Sequence, residues 1–286
     1  MTVELAVTPR GPYSLAVSAR LASDATRTFR DGLLTQVLAV DGRVEVARAW
    51  QSPQGTVTIN ADSAAAADRL RWLLALDDDH SGFLVHVRRD PFLGRASREL
   101  RGLRPVRVPT VAQALLRAFC GQLIEAKRAR RLEPTILRAL CASAPGRLHV
   151  SPTTHDLAAL APSQLRALGL HTRRAAALVR ICRSLELERL HDLPTEAVAR
   201  RLERERGLGP WSAGVVCLEG LGRFERGITG DLGLVKLCSA LRGRRVEAWE
   251  TAELLEPYGE WAGLASVYLL AGYARGLVPV DRELAA

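Results

Sequence analysis

The chain is poor in residues that build covalent or metal cross-links. Its five cysteines are Cys120, Cys141, Cys182, Cys217 and Cys238. The number is odd and no two form a Cys-x-x-Cys pair, which argues against a disulfide framework or a thiolate zinc site. All five lie in apolar stretches and read as buried free thiols. The six histidines, His80, His86, His149, His155, His171 and His191, show no ligand spacing. Asp77-Asp78-Asp79 lacks the glycine and the distant glutamate of a calcium loop. No metal site is expected. No apolar run approaches the ~20 residues of a membrane helix, and no basic-then-apolar leader opens the chain. These absences predict a soluble cytoplasmic protein. Aromatic residues are scarce, at 5 %. Lysine is almost missing, with Lys127 and Lys236 alone.

What is present is an ordinary globular composition of 286 residues, 48 % hydrophobic and 25 % charged. The formal net charge is +9. It is unevenly placed: residues 1–104 carry 14 basic and 12 acidic groups, residues 105–286 carry 26 and 19. A basic excess in the second part suits a phosphate-binding surface. A general arginine bias of the source genome explains the same excess without any partner.

The pattern predicts an α+β protein. Residues 1–60 read as strands. Segment 13–20 alternates, segments 35–40 and 44–50 flank the hairpin signal Asp41-Gly42-Arg43, and 56–60 alternates again. Residues 64–76 turn helical, with Leu70, Leu73, Leu74 and Leu76 on one stripe. Residues 81–100 read as two short helices split at Pro91, although 83–87 alone also fits a strand. An antiparallel sheet with a helix on it fits this part. From Pro105 onward the pattern is helical: 111–131, 135–142 starting just after Pro134, 154–161, 162–168, 172–187, 195–204, 212–221, 232–241, 251–256 and 261–275. The composition places a boundary near residues 105–109, giving domains 1–104 and 105–286.

The chemistry concentrates in Gly207-Leu208-Gly209-Pro210-Trp211-Ser212-Ala213-Gly214 and in Asp231 beyond it. Two glycines two apart allow a tight turn with positive φ. The first-turn N–H groups of the following helix have no partner in that helix and face a phosphate oxygen favourably. Pro210 suits a first helical position, where its missing N–H costs little. A plain helix-turn-helix connection accounts for the glycines equally well. Asp231 reads both as an N-cap for helix 232–241 and as a catalytic carboxylate; one residue can serve both roles.

Three segments together resemble the helix-hairpin-helix DNA glycosylase superfamily, in its AlkA-like 3-methyladenine branch. They are Leu-Arg-Ala-Phe-Cys-Gly-Gln-Leu at 116–123, the run 156–178, and 207–213 with Asp231. The resemblance implies two helical lobes around a cleft, behind a β-rich N-terminal domain. It implies Asp231 as the catalytic residue. It implies DNA contacts from Gly207, Leu208, Gly209, Trp211, Ser212, Ala213 and Gln122, with Leu123 as an apolar wedge in the gap left by a flipped nucleotide. Trp211, Val215, Leu232 and Tyr273 are implied as the base pocket. Val215 and Leu232 stand where relatives carry aromatics; Tyr268, Trp261 and Tyr13 are candidates to compensate. Bifunctional relatives carry a lysine at the Trp211 position, so the resemblance implies a monofunctional enzyme. Arg206 stands where relatives often have proline, and Gly230 replaces an apolar or acidic residue.

The function implied is removal of alkylated purines of the 3-methyladenine and 7-methylguanine type from duplex DNA. Such a base is already cationic and leaves readily, so one carboxylate suffices to stabilise the oxocarbenium-like sugar. No cofactor is needed for that step; relatives often hold a monovalent cation on the hairpin carbonyls. A nucleoid-associated monomer without an obligate protein partner is expected. Other readings are a glycosylase for oxidised or deaminated bases, a non-catalytic hairpin module, and, with less in its favour, a transcriptional activator.

Overall fold

The computed structural model describes residues 2–20, 22–122 and 126–280. The protein is α+β. One antiparallel sheet contains β1 (Val3–Val7), β2 (Arg27–Arg30), β3 (Leu33–Val40), β4 (Arg43–Gln51) and β5 (Val57–Ala61), in the order β1-β5-β4-β3-β2. Helix α1 (Leu15–Ala19) precedes β2, and α2 (Ala64–Leu73) follows β5. The β3–β4 turn has Asp41 at φ 48° and Gly42 at φ 75°. Two central residues with positive φ match the twist of a hairpin. Leu34, Leu38, Ala47, Ala49 and Ile59 alternate onto one face and are buried beneath Leu70, Leu73 and Leu74.

Segment 13–20 departs from its strand-like alternation and forms α1. Ser14 Oγ accepts from the Val17 N–H at 3.3 Å, and Leu15, Ser18 and Ala19 turn inward. The side-chain cap and the i, i+3, i+4 burial override the period of two.

The remaining helices are α3 (Ser81–His86), α4 (Gly94–Glu99), α5 (Val111–Gly121), α6 (Ala126–Leu140), α7 (Thr154–Ala158), α8 (Pro162–Ala167), α9 (Thr172–Ser184), α10 (Thr195–Glu203), α11 (Pro210–Val215), α12 (Leu232–Arg242), α13 (Thr251–Leu255) and α14 (Ala262–Ala274). Helix α11 runs on into a π-helical turn, Val216–Gly220. The run expected at 111–131 is broken after Gly121, where Gln122 turns extended at ψ 126°. The helix expected to start after Pro134 instead runs through it. Burial of Glu133, Ile136 and Leu137 on one side keeps that helix continuous across the proline.

Two apolar clusters fill the helical part. One joins Leu115, Leu116 and Phe119 of α5 to Leu178, Ile181, Val198 and Leu202. The other joins Phe83, Leu93, Val215, Leu234 and Leu237 to Tyr268 and Leu269 of α14. Helices α3 and α4 therefore pack with the C-terminal helices, not on the sheet. Helix α5 lies between the clusters, with Ala118 in the second. Cys120, Cys182, Cys217 and Cys238 are buried free thiols, and Cys141 is half-buried. Burial pushes the Cys182 and Cys217 thiols up to about 12. Among the described residues no helix is long and apolar enough to cross a membrane, and no group of three His, Cys, Asp or Glu side chains is placed to hold a metal ion.

Arginines seal the sheet to the helices. Arg117 of α5 meets Asp24 at 2.8 Å, Glu133 at 2.8 Å and Glu219 at 2.5 Å. Its side chain is 21 % exposed, and those of Asp24 and Glu133 are 8 % each. Arg27 reaches the Arg107 carbonyl at 2.5 Å. Arg107 bonds Asp78 at 2.5 Å and the Gly222 carbonyl at 3.3 Å. His80 is buried beside them, edge-on to Phe224 at 4.6 Å. Neither of its ring nitrogens has a hydrogen-bond partner among the described residues.

Replacing Arg117 by Ala leaves buried carboxylates uncompensated and is expected to cost about 3–5 kcal/mol in denaturant unfolding. A loss under about 1 kcal/mol would mean that water screens the cluster as it screens a surface pair. The same junction sets an acid dependence. Burial lowers the His80 pKa against the pull of Asp78, so folding disfavours its protonated form. Burial opposes ionisation of Asp24, but Arg27, Arg117 and Thr26 together hold its carboxyl below the usual range. Both shifts are downward, so both contributions are present at neutral pH and lost in acid. His80 begins to lose its share as pH falls below about 6.5, and Asp24 as it falls below about 4. Unfolding titrations of His80→Phe and Asp24→Asn should lack the first and second declines respectively.

Candidate active site at the hairpin and Asp231

Gly207 makes the turn, at φ 102°, with Leu208 N–H bonded back to Glu205 O at 3.0 Å. A Cβ at 207 would lie 3.2 Å from Ala177 Cβ. Gly209 departs from the expectation of a second positive φ. Its φ of −135° is ordinary extended backbone. Among the described residues nothing comes within 4 Å of where its Cβ would stand. The fold does not require glycine there; its absent side chain leaves the approach to α11 open.

Pro210 occupies the first position of α11. The Trp211 and Ser212 N–H groups lie in the first turn, where a helix offers no carbonyl. The Ala213 N–H is already given to Gly209 O at 3.0 Å. Leu208, Ser212 and Ala213 have buried side chains, so these expected DNA contacts fall to the backbone. The Leu208 and Ala213 N–H groups are thus already bonded, to Glu205 O and Gly209 O, which leaves the Trp211 and Ser212 N–H groups of the first turn. Gln122 Nε2 donates to Gly207 O at 2.8 Å and to Ser212 Oγ at 3.0 Å, tying the end of α5 to the hairpin. Leu123, the expected wedge, lies outside the described residues.

Asp231 caps α12. Its Oδ1 accepts from Gly233 N–H at 2.8 Å and Leu234 N–H at 3.4 Å. Its Oδ2 accepts from Trp211 Nε1–H at 3.0 Å. The hairpin helix and the carboxylate, 20 residues apart, thus meet through one indole. The loop before Asp231 is pinned along its length. Gly263 N–H bonds Phe224 O at 2.7 Å, Ile228 N–H bonds Ser266 Oγ at 3.3 Å, and Gly230 N–H bonds Thr251 Oγ1 at 2.7 Å. Gly230 has φ 85°, which accounts for glycine at that position. A Cβ on Gly214 of α11 would lie 2.6 Å from Gly227 O, so the helix and the loop touch backbone to backbone.

The residues expected to form the base pocket differ in burial. Val215 is buried in the second helical cluster, and Trp211 and Tyr273 pack against it half-exposed. Leu232, next to Asp231 at the start of α12, is 46 % exposed. Tyr268 does not compensate: it is fully buried and its hydroxyl donates to Leu100 O and Leu103 O. Tyr13 lies under Arg104 at the sheet junction, and Trp261 packs on Phe83 at 6.1 Å. Gly121 and Gly214 lie in the segments the sequence singled out but were given no role there, and Thr251 was not singled out. A glycine inside or ending a helical pattern was the available signal for the first two.

No family model matches the chain. It is 28 % identical over 205 residues to a DNA-3-methyladenine glycosylase of Bacillus subtilis (strain 168), covering 68 % of this chain and 67 % of the relative. It is 26 % identical over 246 residues to a probable bifunctional transcriptional activator/DNA repair enzyme AlkA of Mycobacterium tuberculosis, covering 82 % of this chain and 50 % of that relative. The chain thus spans about half the length of the mycobacterial protein. The fold matches a 3-methyladenine DNA glycosylase from Archaeoglobus fulgidus with TM-score 0.83 at 19 % identity, over 95 % of this chain and 98 % of the other. It also matches a Clostridium acetobutylicum 8-oxoguanine glycosylase/lyase, solved with double-stranded DNA, with TM-score 0.76 at 17 % identity, over 96 % and 98 %.

The two glycines Gly209 and Gly214 give opposite expectations. Gly214→Ala drives a methyl group into a backbone carbonyl and should destabilise by about 1–3 kcal/mol. Gly209→Ala meets nothing inside the protein and should change stability by less than about 0.5 kcal/mol. On the expectation that the hairpin N–H groups face a phosphate, the added methyl should nevertheless weaken binding to duplex DNA. Thermal melting and fluorescence anisotropy with a duplex check both; unchanged affinity in Gly209→Ala would remove the hairpin from the interface.

Proposed function

The chain belongs to the helix-hairpin-helix DNA glycosylase superfamily, and from that premise we propose that it excises alkylated purines, of the 3-methyladenine and 7-methylguanine type, from duplex DNA by hydrolysis of the N-glycosidic bond, without a lyase step. The observation that carries this reading is the Asp231 carboxylate, held by N–H donors on both oxygens beside the first turn of the hairpin helix. The relatives named for 3-methyladenine support the substrate class.

The proposed steps follow from these groups. The hairpin N–H groups at Gly209, Trp211 and Ser212 take a phosphate of the backbone, a contact blind to base sequence. The damaged nucleotide leaves the stack, with Leu123 proposed to fill the gap. The flipped base lies against Trp211, Val215 and Tyr273; its positive charge favours an aromatic face. As the bond to C1′ breaks, positive charge grows on the sugar, and Asp231 stabilises it and orients the attacking water. The departing base is already cationic, so this step calls for neither metal nor redox cofactor. A monovalent cation at the hairpin would share the Gly207 carbonyl with Gln122 Nε2, using its second lone pair. A lyase needs an amine nucleophile, and position 211 carries Trp. The enzyme is proposed to act as a monomer on the nucleoid, with no obligate protein partner.

The test is base release from methylated duplex DNA. Wild type should release methylpurines; Asp231→Asn should lose about two to four orders of magnitude in rate while melting temperature and DNA affinity persist. Asn caps a helix about as well as Asp, so a purely structural Asp231 predicts no change. Borohydride trapping of a covalent adduct, or release of 8-oxoguanine in place of methylpurines, would overturn the monofunctional alkylpurine reading.

A further inference from the structure

Gly121, the last residue of α5, has a contact that its own segment does not explain. A Cβ there would lie 2.6 Å from Cη2 of Trp211, 3.4 Å from Cζ2 and 3.7 Å from Cζ3. The six-membered ring of the indole therefore rests directly on the bare Cα of α5. The other ring of the same indole donates its Nε1–H to Asp231 Oδ2 at 3.0 Å. An indole is rigid, so a displacement at the six-membered ring is carried to the N–H.

Neither support is free to recede. The residue after Gly121 is Gln122, whose amide holds Gly207 O and Ser212 Oγ. The helix that carries Trp211 is fixed on its other side by Gly214 against Gly227 O. The carboxylate is fixed at Oδ1 by the α12 N-terminus. Trp211 thus spans a gap whose two walls are tied to each other.

We infer that Gly121 is a positioning residue: by lacking a side chain it seats the Trp211 ring, and through the indole N–H it sets the orientation of the Asp231 carboxylate. This rests on the reading of Asp231 as the catalytic group. An added methyl pushes the ring by the difference between 2.6 Å and an ordinary contact, on the order of 1 Å. With both walls of the gap fixed, a shift of that size turns the indole and takes its N–H out of line with Asp231 Oδ2.

The test combines kinetics with the indole resonance of Trp211, identified in a ¹⁵N–¹H spectrum by its loss in Trp211→Phe. In the wild-type background Asp231→Asn should move that resonance, because the charge on its acceptor is removed. In a Gly121→Ala background Asp231→Asn should leave it in place. Gly121→Ala should lower kcat for methylpurine release about 10- to 100-fold with KM within about threefold. Trp211→Phe should lower kcat similarly, and adding Gly121→Ala to it should cost nothing more, since the route through the indole is already gone. If Gly121→Ala does not fold, the double variant should, because a phenyl ring is shorter than an indole. A double variant that also fails to fold would place the clash elsewhere and overturn the inference. So would a Trp211 resonance that answers Asp231→Asn equally in both backgrounds, or a kcat loss that persists with Phe at the indole position. If wild type releases no base, the proposed function falls, and the indole resonance still decides whether Gly121 sets Asp231.

Discussion

The close approach of α11 to the loop before Asp231 is the constraint on which the site depends. At Gly214 the helix has no side chain, and the Gly227 carbonyl takes the vacant space. That contact brings the hairpin and the carboxylate, which arrive from different directions, to within one indole of each other. Glycines continue the pattern outward. Gly227 leaves room for Leu255, and Gly263 for the carbonyls of Phe224 and Arg226. The site is built by omission of side chains as much as by their presence. An apolar core tolerates exchange of one hydrophobe for another of similar volume; backbone-to-backbone contacts have no such latitude.

The charge excess takes on a different meaning in the fold. Arg27, Arg104 and Arg107 are buried, and Arg117 is mostly enclosed by carboxylates. Part of the arginine content is therefore structural and unavailable to a polyanion. The +9 net charge is unaffected by such pairing, because each internal pair removes both signs from the surface together. A long-range pull on a polyanion survives, but the buried arginines make no direct contact with it. Arg117 lies within the segment that resembles the glycosylases, yet its partners are Asp24, Glu133 and Glu219.

Much of the architecture was legible in the sequence because local signals and tertiary packing agreed. Asp41-Gly42 gave the β3–β4 hairpin, and the stripe through Leu70 and Leu73 gave α2. Disagreement arose where a short-range bond competed with a pattern. Ser14 capped a helix across an alternating segment, and Pro134 was carried through a helix whose packing did not allow a break. In the site, the spacing of Gly207, Trp211 and Asp231 was readable, and the structure places the last two in contact. The second glycine of the turn was misread, since Gly209 is extended and open rather than left-handed. Gly121 and Gly214 stood within the motif segments, but what they do there was not readable. A glycine reports what it avoids, and what it avoids lies elsewhere in the chain: Trp211 for one, Gly227 for the other.

The charge cluster around Arg117 also bears on how the chain is made. Asp24 leaves the ribosome long before its guanidinium partner at residue 117, and that guanidinium precedes its third carboxylate at 219. Domains generally fold as they emerge, N-terminal first. Here the sheet emerges with a buried acid that has only its near neighbour Arg27 to pair with until Arg117 follows. The last ionic contact of the cluster waits for Glu219. The arrival of the π-helical turn that bears Glu219 closes the seam between the part made first and the helix that carries Trp211.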